Sequence, residues 1–73
     1  MYHEAPTLAA LTASNAKRPP DTWPYRVFIR KTGKVFAFRK FWPAARRTHA
    51  NYGDVLYQHD GQRWRIWTSA GLF

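Results

Sequence analysis

The chain has 73 residues, no cysteine, and 12 lysines and arginines against 4 aspartates and glutamates, for a net charge of +8. Below about 70–80 residues a single core yields only a few kcal/mol of net stability, which leaves little room for a catalytic apparatus. The missing cysteines exclude disulfide staples and thiolate zinc sites, and the charge exceeds what solubility requires, so a polyanionic partner is the first expectation.

Composition changes abruptly at Thr22. Residues 1–22 carry Glu4 and Asp21 against Lys17 and Arg18, sum to zero, and hold one aromatic, Tyr2. Residues 23–73 hold the other 10 basic and 2 acidic groups and 12 of the 13 aromatics. The expected organisation is therefore a flexible N-terminal tail, 1–22, and a basic, aromatic-rich domain, 23–73, able to fold alone but with little to spare. In the tail, Thr7 is placed to cap a short helix with Leu8 and Leu11 on one face. About nine residues of modest propensity do not hold a helix in water unaided, so the segment is expected to be mobile in isolation. Pro19-Pro20 reads as a stiff, extended break. Tyr2, His3 and Glu4 at the extreme end read either as a docking peptide that orders on a partner or as a start without a role.

From Trp23 the pattern is that of strands. Tyr25, Val27 and Ile29 alternate with Arg26, Phe28 and Arg30, and Val35, Ala37 and Arg39 alternate with Phe36, Phe38 and Lys40. Lys31-Thr32-Gly33-Lys34 joins them as a hairpin turn, with glycine where the chain needs positive φ. Trp42-Pro43 ends the second strand, and Pro43 to about Ala50 is a short helix closed by Asn51-Tyr52-Gly53-Asp54. Val55–Gln58 and Arg63–Thr68 form a second hairpin across His59-Asp60-Gly61-Gln62, with Trp64, Ile66 and Thr68 on an apolar face and Arg63, Arg65 and Trp67 on a basic one. The expected fold class is α+β, a small ββαββ domain with two hairpins in one antiparallel sheet and a helix over one side or end.

Candidate chemistry is sparse. His49, Asp54 and His59 are the only plausible convergent set for a metal or a shared proton, and each has a plainer role in a helix or a turn. No phosphate loop is present, since Thr32-Gly33-Lys34 lacks the spacing. No catalytic residue, metal or cofactor is expected. The stronger signal is basic residues interleaved with rings: Arg26, Arg30, Lys31 and Lys34 on the first hairpin, Arg39 and Lys40 after it, Arg46 and Arg47 on the helix, and Arg63 and Arg65 on the last strand. Such a surface attracts phosphates, and an exposed ring such as Trp67 or Phe36 would stack on unpaired bases. A standalone RNA or DNA binding module fits these features. No apolar run approaches the roughly 20 residues of a membrane span, no signal peptide opens the chain, and no basic amphipathic helix suits a membrane surface, so a soluble, untargeted protein is expected.

With its Met1-Tyr2-His3-Glu4 start, its basic ββαββ body and its total length, the chain resembles the small single-domain transcription regulators of Xanthomonas phages that bind bacterial RNA polymerase. The resemblance implies a protein of the host cytoplasm that docks on the N-terminal part of the β′ subunit. It further implies inhibition of promoter-dependent initiation, and antitermination at intrinsic terminators near the RNA exit channel together with NusA. On that footing Tyr2, His3 and Glu4 would dock on the polymerase, and Arg46 and Arg47, with Arg26 and Arg30, would face acidic polymerase surface or nascent RNA.

Overall fold

The computed structural model describes residues 5–13, 18–50 and 54–73, with main chain only at 8, 12 and 13. Tyr2, His3 and Glu4 and the Asn51-Tyr52-Gly53 stop signal lie outside the described residues. The elements are α1 (Leu8–Ala13), β1 (Tyr25–Ile29), β2 (Lys34–Phe38), α2 (Phe41–Ala50), β3 (Val55–His59), β4 (Trp64–Thr68) and β5 (Gly71–Leu72). All strands pair antiparallel in one open sheet of order β2-β1-β3-β4-β5. The α+β class and the ββαββ order follow the sequence expectation, and β5 is an addition to it. Two residues are too few to show alternation. The strand exists because Ser69-Ala70 turn the chain back at Thr68, with Gly71 at φ 119 and the Phe73 N–H donating to the Ile66 carbonyl at 2.7 Å.

The two longer hairpins close where the glycines predicted. The Ile29 carbonyl accepts the Gly33 N–H at 2.7 Å, and Gly33 sits at φ 76, in the left-handed region that a side chain rarely adopts. At the second turn the Asp60 N–H meets the Arg63 carbonyl at 3.1 Å, and Gly61 takes φ 99. The helix α2 begins at Phe41, two residues earlier than Pro43 predicted. Proline fits there because the first-turn N–H groups have no acceptor within the helix in any case. Phe41, Ala44, Ala45 and Thr48 form the inward stripe of α2, with spacings of three and four, while Trp42, Pro43, Arg46, His49 and Ala50 face outward.

Because β1 lies between β2 and β3 and is covered on both sides, both of its faces are buried. Val27 and Ile29 join Leu56, Ala44 and Ala45 beneath α2, fringed by Tyr25, Phe38, Phe41 and Trp67. The methyl side chains of Ala44 and Ala45 let the helix sit close to the sheet. On the opposite face Phe28 and Tyr57 pack with Leu11 of α1, fringed by Val35, Val55 and Trp64. Thr7 caps α1 as predicted, with its Oγ1 accepting the Ala10 N–H at 3.0 Å. Six residues cannot sustain a helix in water, and here the Leu11 side chain, 2% exposed, ties them to the sheet. The double proline opens a turn instead of an extended spacer, since the Pro19 carbonyl accepts the N–H groups of Thr22 and Trp23.

Candidate polyanion-binding surface

Arg26 decides how the surface must be drawn. Alternation along β1 puts it on the same face as Phe28, and α1 with the 18–23 segment covers that face. The side chain is fully buried. Its Nε donates to the Leu11 carbonyl at 3.0 Å, Nη2 to the Arg18 carbonyl at 2.6 Å, and Nη1 to the Tyr25 carbonyl at 3.2 Å and to the Trp23 carbonyl. The guanidinium also lies 5.1 Å from the centre of the Trp64 ring. Burial, and then the neighbouring Arg18 charge, pushes the Arg26 pKa below its ordinary value. The expectation that Arg26 faces a nucleic acid or a polymerase is therefore corrected. A cation held by main-chain carbonyls on a covered face is a structural tie between the N-terminal segment and the sheet.

The remaining predicted residues do not form one patch. Pairing places Tyr25 beside Phe38 and Gln58, and Ile29 beside Lys34, so the sheet has two opposite ends separated by about 13 Å of strand. Arg30, Lys31 and Lys34 stand at the Ile29 end. Arg63 and Arg65 stand at the Tyr25 end, because Arg65 pairs with Gln58 and Arg63 lies in the turn beyond His59. Arg18, Arg39 and Lys40 join them there. The guanidinium groups of Arg18 and Arg39 lie 4.9 and 5.0 Å from the centre of the Trp23 ring, which binds the 18–23 segment to the end of β2.

Arg46 and Arg47 are neighbours in sequence but point apart. Arg46 is on the outward face of α2. Arg47 turns toward the start of β3, where its Nη1 lies 3.7 Å from Asp54 Oδ2, and the Asp54 side chain is only 3% exposed. His49 is exposed on the outward face of α2 while His59 lies in β3, where its ring packs edge-on to Trp64 at 4.9 Å. Among the described residues no three histidines or carboxylates come together as a metal-binding group.

Asp60 shapes the turn at the Tyr25 end. Its Oδ1 accepts the N–H groups of Gln62 and Arg63, both at 2.9 Å, and Oδ2 lies 4.0 Å from Arg65 Nη1. These main-chain donors, Arg63 first and Gln62 second, with the Arg65 and Arg63 charges, hold the Asp60 carboxyl below the usual aspartate range. A depressed carboxylate pKa contributes stability that is complete above the unfolded value of about 4 and is lost as pH falls through the lower folded value. Asp60→Ala is therefore expected to flatten the decline of the thermal midpoint below about pH 4, read by circular dichroism. An unchanged acid limb would remove Asp60 from that role.

The rings also sort differently from expectation. Trp67 is a fringe residue of the core beneath α2, and its indole N–H donates to Gln58 Oε1 at 2.7 Å, so it does not offer a free face. Phe36 is 43% exposed. Of the exposed rings that the sequence did not single out, Phe73 at 65% and Trp42 at 68%, Trp42 is the one set on a regular helix, α2. The one available signal was its place outside the Phe41, Ala44, Ala45 and Thr48 stripe. Between α2 and β4, which the helix does not cover, a shallow cleft of about 280 Å³ is floored by Phe41, Leu56 and Trp67 and rimmed by Thr48, His49 and Ser69. Among the described residues no helix is long and apolar enough to cross a membrane. No protein-family model, no curated protein and no solved structure matches the chain.

Proposed function

We propose that the chain is a non-catalytic regulator of bacterial RNA polymerase, of the phage-encoded kind it resembles, working in the host cytoplasm. It binds the N-terminal region of the β′ subunit, disfavours initiation, and acts with NusA beside the RNA exit channel to prevent intrinsic termination. Tyr2, His3 and Glu4 dock on the polymerase together with Arg46, and the basic ends of the sheet lie against acidic protein surface or nascent RNA.

The observation that supports this reading most directly is the division of basic side chains between opposite ends of a small body. Arg30, Lys31 and Lys34 stand at one end and Arg39, Lys40, Arg63 and Arg65 at the other, with about 13 Å of strand between the two ends. A simple nucleic-acid binder gathers its charge on one stripe. Charge at both ends suits a bridge between two negatively charged surfaces, such as a polymerase subunit and emerging RNA. The action is steric and electrostatic, and none of its steps calls on a catalytic side chain.

The test is retention of the full chain on purified RNA polymerase after nuclease treatment, compared with a chain lacking residues 1–6. That deletion leaves Thr7 and Leu11, and so the cap and the buried anchor of α1, in place. Retention of the full chain with marked loss on deletion is the expected result. Binding to free RNA or duplex DNA with no retention on polymerase would instead identify a standalone nucleic-acid-binding module.

A further inference from the structure

We propose that Trp42, with Lys40 and Arg46, forms a contact site for single-stranded nucleic acid, in which the indole stacks on an unpaired base and the two cations meet the flanking phosphates. Its test does not need the polymerase reading to hold, and the site gives Arg46 to a phosphate in place of the polymerase surface.

The other three tryptophans are engaged. Trp23 lies under the guanidinium groups of Arg18 and Arg39, Trp64 faces Arg26 and His59, and Trp67 packs against the core. Trp42 alone among them is classed with the exposed large side chains, at 68%. Tryptophan is normally among the better-covered residues, so such exposure on a regular helix asks for a reason.

The ring is also braced. It meets Phe41 edge-on, with centroids 5.1 Å apart and planes at 77°. Phe41 in turn meets Trp67 at 5.1 Å and Tyr25 at 5.9 Å, both edge-on, so a ladder of rings runs from the core to the surface. A ring held this way loses little conformational freedom when a ligand stacks on it. Pro43 stiffens the chain immediately after it.

Charge favours a nucleic acid as the occupant. Lys40 is exposed two residues before Trp42, and Arg46 is exposed one helical turn after it, about 5–6 Å along the axis. From Arg39 to Ala50 there is no aspartate or glutamate. A partner protein groove that receives a helix reads apolar residues at spacings of three, four and seven. Along the outward face of α2, Trp42 is followed by Arg46 and His49, so that stripe is missing. A flat ring flanked by cations matches the alternation of base faces and phosphates along a single strand.

The test uses the full chain and a mixed-sequence, unstructured 12-nucleotide RNA, titrated at several salt concentrations. Trp42→Ala should weaken binding about tenfold, and Trp42→Phe should restore most of it, since a smaller ring still stacks. Lys40→Gln with Arg46→Gln should lower the steepness of the salt dependence. Thermal midpoints of the variants close to that of the parent chain establish that the fold is intact. An unchanged affinity in Trp42→Ala, with loss instead on Lys31→Gln and Lys34→Gln, would overturn the proposal. So would Trp42→Ala releasing the chain from polymerase while RNA binding persists unaltered, which would make Trp42 a protein anchor. Failure of polymerase retention with the RNA result intact would overturn the proposed function and leave this site standing.

Discussion

Replacing Arg26 with methionine should cost about 3–5 kcal/mol, a large part of the stability of this small fold. Methionine nearly fills the space but supplies no donor to the carbonyls of Leu11, Arg18, Trp23 and Tyr25, which the guanidinium now gathers. A buried acceptor without a partner costs about 1–3 kcal/mol, and breaking a buried charged network by removing one member costs about 3–5 kcal/mol. At about 0.05–0.15 kcal/mol per residue, a chain of this size has only about 4–11 kcal/mol in total. Arg26→Lys should fall between the two, because an ammonium keeps the charge but not the planar fork that reaches carbonyls on three sides. Urea denaturation followed by circular dichroism measures the difference. A loss below about 1 kcal/mol for Arg26→Met would show that water or side-chain rearrangement satisfies those carbonyls.

The second large effect concerns the N-terminal segment. A chain starting at Trp23 should fail to fold, whereas a chain starting at Thr7 should keep its thermal midpoint. The shorter chain loses Leu11 from its contact with Phe28 and Tyr57, and it loses two of the carbonyls that hold Arg26. Leu11→Ala isolates the apolar part of this loss and should cost about 2–4 kcal/mol, in the range for large-to-small changes in a core. Near-ultraviolet circular dichroism of the two truncated chains distinguishes the outcomes. A chain of residues 23–73 with a native-like spectrum would support the boundary at Thr22 that composition suggested.

Those two results bear on what was legible in the residues. The hairpin at Gly33, the Asp60-Gly61 turn and the Thr7 cap were readable because each depends on local chemistry: a positive φ, an Asx side chain that accepts nearby N–H groups, or a hydroxyl at a helix start. The inward stripe of α2 obeys a period that its residues display. The role of Arg26 was not readable in the same way. Its alternation with Val27 and Ile29 was plain, but an arginine on a strand face reads as solvated unless something covers that face. What covers it is Leu11, fifteen residues earlier, in a segment whose short helix was readable but whose docking on the sheet was not.

The candidate surface shows the same limit. Composition located the basic excess after Thr22, and apart from the buried Arg26 those residues lie at turns, strand ends and helix faces. Proximity in sequence nevertheless misled for Arg46 and Arg47, which a helix of 3.6 residues per turn directs to different sides, one outward and one to Asp54. Like charge gives no guide to place either, since antiparallel pairing sends Arg30 and Arg65 to opposite ends of the sheet. Trp67 and Trp42 exchanged roles for a similar reason: the Trp67 ring packs against Phe41 at the edge of the core, and the outward side of α2 carries Trp42.

By itself the sequence determined the kind of elements, their order, the turns between them and the sign of the surface charge, because these follow from backbone chemistry and from periods of 2 and 3.6 within a few residues. Only the tertiary structure decided which charge is buried, which ring is presented, and that Leu11 of the neutral N-terminal segment belongs to the core. Alternation defines two faces of a strand, but what covers each face is set by contacts between residues far apart in the chain.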